Sequence, residues 1–176
     1  QWEFEGQPFK LFDTAGLRRR SRVSQRLEHL SGEDTRRAIQ FAHVVVLMVD
    51  ASTMLEKQDL TIARMVVEEG RALVIAANKW DIVENREKAL SHLRDRLQTS
   101  LPQVKGIPYI TISAERGRNL DKLLHAIVET YDTWNRRVST SRLNRWLADM
   151  TAQHSPPLAK GRRIKLRYMT QIKTRP

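Results

Sequence analysis

The sequence predicts an α/β fold in which helices cover both faces of a parallel sheet. Residues 42–50 (AHVVVLMVD) form a continuous apolar run, which is typical of a central parallel strand. A second apolar, β-branched run follows at 71–77, and a third, shorter one at 108–112. Between these runs the apolar residues recur with the period of a helix, as they do over 84–99. This alternation of strand and helix predicts a doubly covered sheet.

The flanking elements follow in chain order. Residues 2–5 alternate like a strand, and residues 5–8 supply a turn into a second strand at 9–12. The pair predicts an antiparallel edge hairpin. Helices are predicted over 33–41, 55–69, 84–99, 119–134 and 142–154.

The last part of the chain predicts a helix followed by a strand. Apolar residues of the helix over 142–154 form a stripe that predicts core packing; they are Leu143, Trp146, Leu147 and Met150. A basic strand is predicted over 162–169, with three apolar side chains inward: Ile164, Leu166 and Tyr168.

Asn78-Lys79-Trp80-Asp81 follows the strand at 71–77, where open α/β sheets bind ligands. The Asp81 carboxylate offers two acceptors, which match two adjacent N–H donors of guanine that adenine lacks. Adenine would leave the carboxylate unpaired, and in a desolvated site such a loss can lower the affinity about 10⁴-fold. Lys79 can lie along the base, and the Asn78 amide can tie neighbouring loops together. An ordinary polar turn also accommodates Asn and Asp, so the motif alone leaves both interpretations open.

Two further motifs stand at the ends of predicted strands. Asp13-Thr14-Ala15-Gly16 follows the strand at 9–12, which places a carboxylate near a metal ion and a glycine N–H near a terminal phosphate. Ser113-Ala114 follows the strand at 108–112. There the Ala114 N–H can donate to the guanine carbonyl, and the Ser113 hydroxyl can brace the loop. The three motifs in this order predict a guanine-nucleotide site.

These motifs resemble the third, fourth and fifth motifs of the Ras-like, translation-factor-related GTPases, which have a P-loop NTPase fold. The segments at 13–23 (DTAGLRRRSRV), 137–147 (RVSTSRLNRWL) and 161–168 (GRRIKLRY) are similar to the bacterial ribosome-assembly GTPases of the Der (EngA) family. The resemblance implies a GTPase domain over 1–137 and a KH-like RNA-binding domain over 138–176. GTPases of the Era or TrmE type are an alternative, against which the last two segments argue.

The resemblance also implies ligands and chemistry. GTP or GDP would be bound with Mg²⁺, and Asp13 would contact the metal indirectly, through water. Many GTPases have a water-orienting Gln where this sequence has Leu17. The Der family shares this substitution, which implies K⁺-assisted hydrolysis in the intact enzyme.

The phosphate-binding pattern Gly-x-x-x-x-Gly-Lys-Ser/Thr does not occur in this sequence. We therefore expect a fragment truncated at both ends, whose sheet lacks its first strand. The two neighbours of that strand would either leave a gap or close on each other. No catalytic residue is assigned, and the fragment alone is expected to bind guanine nucleotide feebly and to hydrolyse GTP negligibly.

The net charge of +11 is concentrated near the carboxyl end. Residues 1–133 carry 20 basic and 19 acidic side chains, whereas residues 134–176 carry 11 basic and one acidic. Charge alone leaves open a polyanion partner such as RNA or a solvated basic face. The resemblance favours rRNA of the large ribosomal subunit, and the residues assigned to it are Arg142, Arg145, Arg162, Arg163, Lys165 and Arg167.

A non-catalytic RNA-binding module is the alternative function. Apolar runs of about 18 residues, which a membrane span requires, do not occur in the sequence. Cys is absent as well. The first observation argues against a membrane partner, and the absence of Cys and of a secretory signal suits a reducing cytoplasm.

Overall fold

The structure is a computed structural model that describes residues 2–12, 28–159 and 161–174. The chain divides into two compact units, residues 1–133 and residues 134–176. Within the described ranges, no helix has the length and apolarity that crossing a bilayer requires.

A three-stranded parallel sheet forms the centre of the first unit. Its strands are β3 (Val44–Asp50), β4 (Ala72–Asn78) and β5 (Tyr109–Thr111), in the order β3-β4-β5. The register pairs Val44 with Ala72 and Asp50 with Asn78, so β3 and β4 end side by side. All three predicted strands are present, each within two residues of its predicted ends.

The middle strand β4 is buried on both faces, which explains its unbroken apolar run. Leu73, Ile75 and Ala77 face a core built with three helices that precede and follow the strand. Val74 and Ala76 face a second core, which the last helix of this unit covers. Because successive side chains of a strand point to opposite faces, one apolar run supplies both cores. The predicted α/β architecture is confirmed.

The predicted helices are all present. Their observed bounds are α1 Glu28–Phe41, α2 Lys57–Glu68, α3 Arg86–Ser100, α4 Leu120–Trp134 and α5 Thr140–Gln153. Only α1 departs by more than two residues, since it begins five residues before its predicted start. Polar caps fix two of the starts: Asn85 accepts a hydrogen bond from the Lys88 N–H at 3.0 Å, and Asp59 accepts one from the Glu56 N–H at 2.9 Å.

The amino-terminal hairpin differs from its prediction. β1 (Trp2–Phe4) pairs with β2 (Gln7–Phe9), so the second strand begins two residues earlier than predicted and also ends earlier. The reason is the turn, which consists of Glu5 and Gly6 alone, both at positive φ (50° and 77°). Two consecutive residues at positive φ are typical of the two-residue turn that joins antiparallel strands in a hairpin.

The hairpin forms a sheet of its own within the described residues. Its second strand does not pair with β3 there, so of the two expected alternatives the described residues show the gap and not closure. The apolar side chains that follow it are exposed, with Leu11 at 83% and Phe12 at 63%. The hairpin contacts α4 instead: the Phe4 ring lies edge-on to His125, with centroids 4.9 Å apart.

The second unit holds α5 and a two-residue hairpin, β6 (Leu158–Ala159) with β7 (Arg162–Arg163). The strand predicted over 162–169 is therefore wrong beyond its first two residues, because β6 offers no longer partner. Its three apolar side chains are exposed and not inward; they are Ile164, Leu166 and Tyr168. The segment is held at its far end, where the Met169 N–H donates to Asn144 Oδ1 at 2.9 Å.

The apolar stripe of α5 is only partly buried. Leu147 is 6% exposed and packs inside, as predicted. Trp146 and Met150 are exposed at 52% and 40%, so the prediction of core packing is wrong for these two residues. They lie on the same helix as Leu147, but on a part of its surface that the other described residues of this unit do not cover.

Candidate guanine-nucleotide site

The site lies where β4 ends. The Asn78 carbonyl accepts from the Ala51 N–H at 2.8 Å, and the Trp80 N–H donates to the Ile112 carbonyl at 3.0 Å. Hydrogen bonds to the segments after β3 and β5 thus hold the loop from both sides. Between them Lys79 has φ 64°, a left-handed conformation that is uncommon for a residue with a side chain. A 3₁₀ turn over Trp80–Ile82 follows and places Asp81.

The Asn78 side chain joins two loops. Its Oδ1 accepts from the Lys79 N–H at 2.8 Å and from the Ala114 N–H at 2.9 Å. The Ala114 N–H, predicted as a donor to the guanine carbonyl, is therefore directed at Asn78 in this structure. The amide brings the Asn-Lys-x-Asp loop and the Ser-Ala loop together at the carboxyl edge of the sheet.

Asp81 is held as a carboxylate. Its side chain is 5% exposed, and Arg116 Nε lies 3.5 Å from Oδ2. The Ser113 hydroxyl, itself buried, donates to the carboxylate and is the main reason that the pKa of Asp81 is lowered. Hydrogen bonding within Asp81 and the positive charges of Arg116 and Arg118 lower that pKa further. A group in this state presents acceptors only.

Asp50 is a site residue that the sequence analysis missed. Its Oδ2 accepts from Lys79 Nζ at 2.6 Å, and its Oδ1 accepts from the Ser52 hydroxyl at 2.7 Å. These contacts, the Lys79 hydrogen bond foremost, lower the pKa of Asp50 to about 2. The sequence held a signal, since Asp50 ends the apolar run 42–50 just as Asn78 ends the run of β4, and the two residues are paired in register.

The phosphate side of the site was predicted at the Asp-Thr-Ala-Gly motif. Asp13, Thr14, Ala15 and Gly16 lie outside the described residues. Within the described residues there is no group of three His, Cys, Asp or Glu side chains that would hold a metal ion. The structure therefore brings together Asn78, Lys79, Asp81, Ser113 and Ala114, and leaves the assignment of Asp13 to Mg²⁺ as a sequence-based prediction.

The predicted RNA-binding residues belong to the second unit. Arg142 and Arg145 lie three residues apart on α5, a spacing that puts both on one helix face, and both are exposed. Arg162, Lys165 and Arg167 are exposed as well, and Arg163 belongs to β7. The structure thus gives the five described side chains access to solvent.

Comparison with known families covers the chain from residue 32 onward, apart from residues 134–136. Residues 32–133 match the family described as the elongation factor Tu GTP binding domain. Residues 137–176 match the family described as KH-domain-like of EngA bacterial GTPase enzymes, C-terminal. The predicted order of a GTP-binding domain and a KH-like region is therefore confirmed.

Relatives and solved structures agree with this. GTPase Der of Brucella anthropi is 54% identical over 175 residues, which are 99% of this chain and 36% of that protein. GTPase Der of Mesorhizobium japonicum is 50% identical over the same length and share. The predicted resemblance to the Der (EngA) family is confirmed, and the chain spans about a third of the length of these relatives (36%).

Among solved structures, Era in complex with MgGDPNP and nucleotides 1506–1542 of 16S ribosomal RNA is 25% identical, with a TM-score of 0.50. The match covers 59% of this chain and 34% of that chain. A probable GTP-binding protein, engB, is 19% identical, with a TM-score of 0.52. The match covers 63% of this chain and 71% of that chain, and it supports the fold alone.

Proposed function

We propose that this chain, which belongs to the elongation factor Tu GTP-binding domain family, reads the guanine base in a GTPase of ribosome assembly. The observation that carries the proposal is Asp81. Its carboxylate is ionised, 5% exposed and fixed at the carboxyl edge of a parallel sheet. Ligands of open α/β sheets bind at that edge. Two acceptor oxygens in a desolvated place select a base with two adjacent donors, and guanine is that base.

The neighbouring groups support the same ligand. Lys79 Nζ donates to Asp50 Oδ2 at 2.6 Å, which fixes the side chain. The alkyl part of Lys79 would then lie along the plane of the base. Ser113 keeps Asp81 in place, and Asn78 holds the loops of Lys79 and Ala114 together. On binding, the Ala114 N–H would turn from Asn78 to the guanine carbonyl. GTP and GDP are therefore the proposed ligands.

The chemistry of the phosphates is proposed from the sequence. Asp13 would contact Mg²⁺ through water, and Thr14, Ala15 and Gly16 would lie along the terminal phosphate. The Era relative carries MgGDPNP, which supports Mg²⁺ as the metal. Leu17 cannot orient a water molecule by hydrogen bonding, and the resemblance to the Der family implies that hydrolysis in the intact protein would be assisted by K⁺. The intact protein would be the GTP hydrolase.

The second unit would provide contact with rRNA. Its charge, 11 basic side chains against one acidic, fits a polyanion, and residues 137–176 match the KH-like family. Era, a structural relative, is known bound to a segment of 16S ribosomal RNA. We place the domain boundary at 137/138 and assign rRNA contact to Arg142, Arg145, Arg162, Arg163, Lys165 and Arg167. The partner would be the large ribosomal subunit, in the cytoplasm.

Two measurements test these proposals. Calorimetric titration of this chain with GDP and with ADP should give an affinity for GDP at least about tenfold higher, since only guanine satisfies Asp81. Equal affinities would contradict the proposed base selection. Titration with an rRNA fragment at several salt concentrations, with and without GDP, examines the alternative. A steep salt dependence that GDP does not change, together with no nucleotide binding, would favour a non-catalytic RNA-binding module.

A further inference from the structure

A recess of about 350 Å³ lies along the outer edge of the sheet, beside β5. Trp80, from the loop of the guanine site, lines it, whereas Asn78, Lys79, Asp81, Ser113 and Ala114 are not among its lining residues. Its walls come from the 3₁₀ turn after β4, from α3 and β5, and from the start of α4. The residues that matter for its chemistry are Trp80, Arg86, Leu90, Arg94, Tyr109 and Lys122.

The recess is strongly cationic. Arg86, Arg94 and Lys122 are exposed, and no acidic residue is among those that line the recess. Within the described part of the chain, neither Arg86 nor Lys122 forms an ion pair. The first unit as a whole is nearly neutral, because residues 1–133 carry 20 basic and 19 acidic side chains. Three cations around one small recess are therefore a local concentration of charge, which favours an anionic ligand.

One of the three cations is fixed in place. Arg94 Nε donates to the Tyr109 hydroxyl at 2.7 Å, and the guanidinium carbon lies 6.0 Å from the centre of the Tyr109 ring. A guanidinium held against an aromatic ring loses less side-chain freedom when it binds an anion. Its two terminal nitrogens stay available as donors, because only Nε is used in the bond to Tyr109.

The other walls are aromatic and apolar. Tyr109, Trp80 and Leu90 are half-buried and line the same recess as the cations. The Asn119 amide is anchored by a bond from Nδ2 to the Thr111 carbonyl at 2.8 Å, which leaves its oxygen as an acceptor. Cations beside aromatic rings are the combination that binds single-stranded nucleic acid, whose phosphates pair with the cations while the bases stack. An acidic peptide would use the cations alone.

We propose that this recess binds a nucleotide segment of single-stranded nucleic acid. The proposal goes beyond the function proposed above, since it needs neither a guanine nucleotide at Asp81 nor the basic residues of the second unit. Arg86, Arg94 and Lys122 contact the phosphates, and the aromatic walls contact a base.

Photo-crosslinking with 4-thiouridine tetranucleotides, followed by peptide mapping, tests the site separately from the second unit. The intact chain is titrated, and crosslinks to the peptides that contain Trp80 or Tyr109 should saturate. The variant Arg86→Gln/Arg94→Gln/Lys122→Gln should lose these crosslinks. With a salt exponent of about 0.7 per phosphate contact, the ratio of wild-type to variant affinity should fall about 20-fold between 50 and 200 mM salt. The 2′-deoxy tetranucleotide shows whether RNA or DNA is preferred.

A matched control removes the same charge elsewhere in the first unit. Lys57→Gln/Lys88→Gln/Lys105→Gln changes three exposed cations that do not line the recess, and should leave the crosslinks intact. Tyr109→Phe keeps the ring but loses the hydroxyl that holds Arg94, so it should weaken binding several-fold without abolishing crosslinking.

Three outcomes would overturn the proposal. They are the absence of saturable crosslinks at these peptides, an equal loss in both triple variants, and displacement of the oligonucleotide by polyglutamate at the same charge concentration. The last outcome would identify an acidic-peptide surface. Addition of GDP or ADP should not change the crosslinks, so a failure of the guanine site remains distinguishable from a failure of this one.

Discussion

Asp81→Asn is the substitution that examines the guanine site most directly. Asparagine keeps the size of the side chain but replaces one acceptor oxygen with an N–H₂ donor, which would then face a donor of guanine. The loss of a hydrogen bond to a charged group and the unsatisfied donor that replaces it each lower affinity by about tenfold. Because Asp81 is only 5% exposed, water cannot easily compensate. We expect a loss of about 100-fold or more in GDP affinity.

The same substitution should create a new preference. Xanthine has a carbonyl where guanine has its exocyclic amine, so the amide of the variant can donate to it. Calorimetry or ligand-observed NMR with GDP, ADP and xanthosine diphosphate should therefore show that the variant prefers xanthosine diphosphate. Asp95→Asn, on the exposed surface of α3, serves as the control and should leave all three affinities unchanged. An Asp81→Asn variant that binds GDP as wild type does would refute the assignment.

Three further predictions concern stability. Asp50→Asn should remove about 1 kcal/mol of unfolding free energy at neutral pH, because the folded carboxylate pairs with Lys79 and has its pKa lowered to about 2. That difference from wild type should vanish as pH falls from about 4 to 2 in urea titrations, and a constant difference would contradict the pairing. Ile75→Ala, fully buried in β4, should cost about 2–5 kcal/mol, whereas Ile82→Ala, 59% exposed, should stay within about 0.5 kcal/mol in the same titrations. Gly6→Ala should destabilise the hairpin by about 1–2 kcal/mol because its φ is 77°, seen as faster amide hydrogen exchange in β1; unchanged exchange would rule this out.

The sheet was predictable because its signal is redundant. β4 is apolar from Ala72 to Ala77 because both of its faces are covered, and a short β-branched run between two helical segments is typical of such a strand. The helices carry a period that depends on many residues at once, so an error at one end leaves the element intact. Their existence was predicted correctly, and the ends moved only by a few residues.

The two hairpins depend on much less information. The first is decided by two residues, Glu5 and Gly6, whose positive φ values moved the strand relative to its prediction. The second is limited by its partner, since Leu158–Ala159 offers only two residues for pairing. Alternation along 162–169 could not reveal this, because a strand is stabilised by a neighbour that its own sequence does not specify.

The site residues divide in the same way, into those that the local sequence predicts and those that only the folded sheet brings together. The positions of Asn78 and Asp81 follow from the end of a strand, and sequence reasoning placed them. Asp50 was missed because its role depends on Lys79, which is remote in sequence and reaches it only through the pairing of β3 with β4. The bond from Asn78 to Ala114 likewise joins loops that only the folded sheet brings together.

The left-handed backbone at Lys79 has a consequence for how this protein can evolve. A residue with a side chain at φ 64° carries a conformational cost of about 1 kcal/mol or more that glycine would not. Lys79→Gly would relieve that cost but would also remove the ion pair with Asp50, so the substitution offers no clear gain in stability. The lysine combines a strained backbone with the ion pair that fixes the loop, so substitutions that stabilise the protein without harming the site would have to begin elsewhere.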